Sequence, residues 1–300
     1  MNSRAGRYGL LALGIAGLSM AGVFYKLASA PPIAMVAWRM LIGAAVIAPM
    51  AIAFRRHGAA RRFTETDVRW SIAAGVFFAA DLVIWAISLR YTSVASAALF
   101  VSTQPIFVAA FAALILRERL TIAAAAGIAL GIAGIAIVGA VDLRLSGAAL
   151  FGDGLAMTAA LAETVYLLVG RHVRQRVDSL RYVAVVYTTC AACAWIALWA
   201  WRVPAHMSGH DMMMALCVAL SATVIGHTLV SLSLGYLPAA LVAVAFLAQP
   251  ALAALFALAF LDQRIPPTTA IGGAIALLGI GIVAYANERK APAASLSNEV

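Results

Sequence analysis

Along almost the whole chain, apolar residues fall in blocks of about 20 separated by short polar stretches. A block of that length, wound as an α-helix, crosses a hydrocarbon layer of roughly 30 Å. Ten such spans are expected, near 8–28, 33–54, 70–89, 92–116, 121–140, 152–170, 182–201, 212–231, 235–260 and 268–286. The substantial loops are 55–69, 141–151, 171–181 and 202–211, all too short for a folded domain outside the membrane. An unpaired backbone group is costly in lipid, so the spans must be helices. The expected fold is an all-α integral membrane protein, followed by a disordered cytoplasmic tail at 291–300.

The pattern repeats with an offset of 145 residues and no gap. Tyr91, Gln104, Pro105, Phe111, Arg119, Gly127, Gly134 and Val138 return as Tyr236, Gln249, Pro250, Phe256, Arg264, Gly272, Gly279 and Val283. Two five-helix repeats are therefore expected, over 7–140 and 152–286. An odd number of spans per copy turns the second upside down relative to the first. Many secondary transporters are built this way, with the substrate site at the repeat interface near the bilayer midplane.

Charge changes the picture in one respect. The net charge is +9, which invites a nucleic-acid reading until its placement is considered. With a cytoplasmic N-terminus, 15 of the 21 Lys and Arg residues fall on the inner side, among them Arg55, Arg56, Arg61, Arg62, Arg171, Arg174 and Arg176. Five fall outside (Lys26, Arg90, Arg144, Arg202 and Arg264) and Arg39 lies within a span. This is the positive-inside asymmetry, and it places both termini in the cytoplasm. No nucleic-acid partner is expected. Composition is 64% hydrophobic and 11% charged, which excludes an ordinary soluble domain. Cys190, Cys193 and Cys217 are too few for a disulfide framework, and the C-x-x-C lies inside a span without further ligands. The first apolar stretch is long enough to span and matches the sixth in register, so it is read as a helix, not a cleaved leader. Glycines crowd the fifth and tenth spans at spacings that let helix backbones approach, which marks packing struts.

The fourth span, from Tyr91-Thr92-Ser93 through Gln104-Pro105 to Arg117-Glu118-Arg119-Leu120, resembles the signature of the EamA branch of the drug/metabolite transporter superfamily. The second copy ends in Gln263-Arg264-Ile265, with Gln263 where that family usually has Glu. The resemblance implies a ten-helix inverted-repeat carrier without ATPase machinery, in which spans 1, 3, 4, 6, 8 and 9 surround a central cavity. It is similar to bacterial exporters of amino acids and related metabolites.

Ionisable groups within spans are costly and call for a partner or a water-filled pocket. Arg39, Asp81, Glu163 and His227 are such groups. Asp81 shares a helical face with Phe78 and Trp85, a setting for an ammonium group; the alternative is a structural acid paired with Arg39 or His227. Glu163, one turn from Tyr166, suits a cation, a coupling proton or a bond to a neighbouring helix. His227, with Thr223 and Ser231 nearby, lines the opposite wall or only bridges helices. Arg39 sits in the second span, outside the implied cavity ring, and is read as structural. Pro105 and Pro250 are expected mid-helix hinges, since proline removes a backbone hydrogen bond. Ser102, Thr103 and Gln104 on one side, with Phe246 and Gln249 on the other, complete the candidate substrate site. No H-E-x-x-H, G-x-S-x-G or Walker-type loop is present, so an intramembrane enzyme or an ATP-driven pump is disfavoured. The expectation is a monomeric inner-membrane exporter of amino acids or related metabolites, with no cofactor or metal. A multidrug or organic-cation exporter is the alternative.

Overall fold

The computed structural model describes residues 4–53, 63–104, 106–107, 110–111, 121–174, 177–233, 245 and 247–296. Among them there is helix and no strand. The elements are α1 (Arg4–Ser19), α2 (Ala21–Leu27), α3 (Pro32–Ala53), α4 (Glu65–Ser88), α5 (Val94–Val101), α6 (Ile122–Leu145) and α7 (Gly147–Arg174). They continue as α8 (Ser179–Ala200), α9 (Gly209–Val218), a π-helical segment (Ala219–His227), α10 (Thr228–Ser233), α11 (Ala248–Leu261) and α12 (Pro267–Leu296). Six stretches are long and apolar enough to cross a membrane: Tyr8–Leu27, Pro32–Ala53, Glu65–Ser88, Gly147–Gly170, Ser179–Ala200 and Gly209–Val230. Shorter apolar helices occupy Ile122–Val138, Ala248–Leu261 and Pro267–Val283.

Side chains start several of these helices by accepting from otherwise unpaired N–H groups. Thr64 and Asp67 form a reciprocal capping box at α4. Asp178 accepts from the Leu180 and Arg181 amides at α8, and Ser208 from the Asp211 amide at α9. Two expected boundaries shift. The expected loop 141–151 is mostly helical, with α6 running to Leu145 and α7 starting at Gly147. The two helices part only at Ser146, whose Oγ accepts from the Ala149 amide at 3.0 Å. The last helix also continues to Leu296, past the start of the expected tail.

The packing pairs one repeat with the other. α6 lies most extensively against α12, α4 against α7, α3 against α8, and α1 against the π-helical segment. The glycine strut is real. A Cβ on Gly134 would meet the Ala276 nitrogen at 2.3 Å, and one on Gly279 would meet the Gly131 nitrogen at 2.3 Å. Gly127 faces Gly279 while Gly134 faces Gly272, so these two helices run antiparallel. They occupy the same position in the two repeats, which therefore point in opposite directions.

Candidate functional site

Four aromatic rings from four different elements meet at the centre. Phe78 of α4 is fully buried. It stacks on Tyr166 of α7 with centroids 4.7 Å apart and lies 6.2 Å from Tyr187 of α8. The His227 ring, at the end of the π-helical segment, meets it edge-on at 5.1 Å. One turn further along α4, Asp81 is buried within electrostatic reach of both Glu163 and Arg39. No salt bridge closes among the three; the ion pair among the described residues is Arg69–Glu65 at the surface. Glu163, His227 and Trp85 face these partners and are half-buried. Trp85 meets Tyr25 edge-on at 5.7 Å.

Arg39 is the hub: from α3 its guanidinium turns inward to Thr223. It is 1% exposed, and its Nε donates to Thr223 Oγ1 at 2.8 Å. Its charge reaches Tyr25, Asp81, Tyr187, Cys190 and His227. The Tyr25 hydroxyl faces the guanidinium without a well-formed hydrogen bond. A buried guanidinium needs acceptors and nearby negative charge, and this one has a hydroxyl and the Asp81 carboxyl. Thr223 is held three ways. Besides the Arg39 contact, its carbonyl accepts from Tyr187 Oη and from Thr228 Oγ1, each at 3.2 Å. Those bonds sit in the middle of the π-helical stretch, a geometry that recurs at functional sites. The site thus unites buried charge, aromatic walls and irregular backbone, all at the depth of the spans.

A family model for EamA-like transporters matches residues 7–140 and 150–285. The chain belongs to the EamA-like transporter family. It is a multi-pass membrane transporter of small solutes. No curated protein matches it. Among solved structures 28 chains match. One is a crystal structure of a protein with 20% identity and a TM-score of 0.64, covering 94% of this chain and 98% of that one. That likeness speaks for the fold.

In this EamA-like transporter the structure gathers Phe78, Asp81, Glu163, Tyr166 and His227 into one cluster, with Trp85 on its rim. The fourth span contributes differently. α5 stops at Val101, and Ser102 and Thr103 turn their hydroxyls back to the Ala98 and Phe100 carbonyls at 2.8 and 2.7 Å. The break falls just before Pro105, which, like Phe246, lies outside the described residues. Gln104 is half-buried. Gln249 uses its carbonyl to accept from Ser19 Oγ at 3.3 Å. Pro250 lies in the first turn of α11, after Leu247. There a missing N–H costs nothing, because the first turn has no intrahelical acceptor for it. Gln263 also acquires a role: its Oε1 accepts from the Val94 amide at 3.3 Å and caps α5 of the other repeat.

Sequence reasoning missed Tyr25 and Tyr187, and took Thr223 only as a neighbour of His227. A tyrosine or threonine in an apolar helix signals nothing by itself. Only the arginine they share, whose in-span charge was visible, marks them as a group.

Proposed function

We propose that this chain is a secondary transporter that exports small amphipathic metabolites, amino acids foremost, by alternating access through a central cavity. In this reading ten helices form two inverted repeats, both termini are cytoplasmic, the membrane is a bacterial inner membrane, and the monomer suffices. One observation carries the reading. Glu163, half-buried, stands beside Asp81 within an aromatic cluster drawn from both repeats. A carboxylate beside aromatic faces suits an ammonium group, since both attract a cation. The apolar walls suit the rest of an amphipathic molecule. Arg39, fully enclosed, serves the acids as a built-in counter-charge.

A multidrug or organic-cation exporter is the second reading. The same acid and rings favour it, because they specify only the positive end of the cargo. Uptake of labelled amino acids and of a labelled lipophilic cation by proteoliposomes, with and without a pH gradient, separates the two. Saturable amino-acid uptake that Asp81→Asn or Glu163→Gln abolishes supports the first reading. Uptake of the cation alone supports the second, and uptake of neither overturns both.

A further inference from the structure

A second polar cavity, of about 200 Å³, lies beyond Tyr25 and is lined by Tyr25, Lys26, Ala30, Pro32, Ala86, Leu89 and Arg90. At roughly 30 Å³ per water, it has room for a few waters or one small organic anion. Two cations share it. Lys26 Nζ donates to the Thr92 carbonyl at 2.8 Å. The Arg90 guanidinium donates to the Ala30 carbonyl, and to that of Ser29 at 3.4 Å. Carbonyl oxygens orient these groups but do not neutralise them. Lys26 is half-buried and feels the Arg90 charge, and like charges in that setting repel.

The nearby acids are engaged elsewhere. Asp211 accepts from the Ser29 amide at 2.8 Å and from Ser208 Oγ at 3.0 Å. Asp153 accepts from Thr92 Oγ1 at 2.7 Å. Among the described residues no carboxylate lies within 4.0 Å of Lys26 or Arg90. Two oriented cations, Lys26 half-buried and Arg90 exposed at the rim, flank an open volume with no protein anion between them and form an incomplete charge arrangement. An anion completes it.

The cavity also adjoins the central cluster. Tyr25 forms part of its wall, packs edge-on against Trp85, and turns its hydroxyl toward Arg39. We propose that the Lys26–Arg90 cavity is a carboxylate-binding subsite, which holds the anionic end of the carried molecule on its way past Tyr25. The occupant's identity rests on the amino-acid reading above; the anion site itself does not. Arg39 cannot take this role, because it is sealed from any ligand.

The test is a titration of the purified full-length protein in phosphatidylcholine nanodiscs with acetate, glycine and glycinamide at constant ionic strength. Tryptophan fluorescence serves as the readout, since Trp85 contacts a wall of the cavity. Acetate and glycine should bind and glycinamide should not. Lys26→Gln and Arg90→Gln should each raise the dissociation constant about tenfold or more, as the loss of a charge-assisted bond does. Lys26→Arg should retain binding. Ala86→Leu, which fills the cavity without touching either charge, should abolish it, and melting curves on every variant separate lost binding from a lost fold. Asp81→Asn should leave acetate binding unchanged while stopping transport, so the two proposals fail separately. Equal acetate binding in wild type, Lys26→Gln and Arg90→Gln would overturn the subsite. So would loss of the acetate response only in phosphatidylglycerol nanodiscs, with a lipid retained in native mass spectra, which would assign the cations to a lipid phosphate.

Discussion

The crossing of α4 with α7 and the crossing of α1 with the π-helical segment are the same contact made twice. Residues 81 and 163 of the first stand 145 positions from residues 226 and 18 of the second. The chemistry is opposite. Asp81 and Glu163 face each other across the first crossing. Gly226 and Leu18 close the second, where a Cβ on Gly226 would lie 2.9 Å from Leu18 Cγ. Gly17 presses equally close, its Cβ position lying 2.4 Å from the Ser221 carbonyl oxygen. Phe78, the hub of the aromatic stack, has Thr223 as its counterpart, and Thr223 instead receives Arg39. Symmetry therefore places the crossings, and a few substitutions decide which one carries charge. A twofold scaffold with one charged and one sealed crossing can recognise a cargo that has no twofold symmetry.

The strongest way to break this comparison is at the strut, where the repeats are most alike. Gly134→Leu and Gly279→Leu put side chains into facing backbone, and each should cost about 3 kcal/mol or more by overpacking. Thermal melting and gel filtration in detergent should show equal losses, since the two glycines are symmetry mates. Unequal effects would mean that the strut is not symmetric in energy.

Next comes the crossing itself. Asp81→Asn should lower transport at least about tenfold with only a modest drop in melting temperature, because it keeps shape while removing the negative charge nearest Arg39. Gly226→Ala at the mate position should do the reverse, lowering the melting temperature by forcing Leu18 aside. Parallel uptake and melting curves on the two variants check this, and a transport defect confined to Gly226→Ala would reverse the assignment of the crossings.

A smaller effect should follow at Arg39. Arg39→Gln removes the counter-charge near Asp81 and the donor to Thr223 Oγ1, and should cost about 1–3 kcal/mol, the range for a buried polar group left unsatisfied. Thr223→Val removes one acceptor and should cost only about 1 kcal/mol. A double-mutant cycle from denaturation midpoints should show coupling between them; additive effects would deny that Arg39 holds the π-helical segment. The smallest change belongs to the cap. Gln263→Ala should cost about 1 kcal/mol, and Gln263→Glu should restore it by keeping an acceptor at the α5 N-terminus.

The candidate site was partly legible for the same reason the comparison works. An acid within an apolar helix stands out against its surroundings, and helical spacing puts Phe78 and Asp81 on one face. Arg39 was equally visible, but its direction was not. α3 packs on α8 and the π-helical segment, which turns the guanidinium inward to Thr223. The proline pair illustrates the opposite limit. Its symmetry was plain in the sequence, but that Pro250 falls in the first turn of α11 is seen only in the structure.

What the sequence determined by itself is set by lipid. Apolar length dictates helices, and the 145-residue repeat with matching glycines dictates a twofold arrangement whose struts need small residues. What only the tertiary structure decided is which polar groups face one another. That choice depends on helix rotation, on the π-helical stretch that shifts the register of Thr223 and His227, and on loops that bring Lys26 to Arg90. These are contacts between residues far apart in the chain, and no local pattern encodes them.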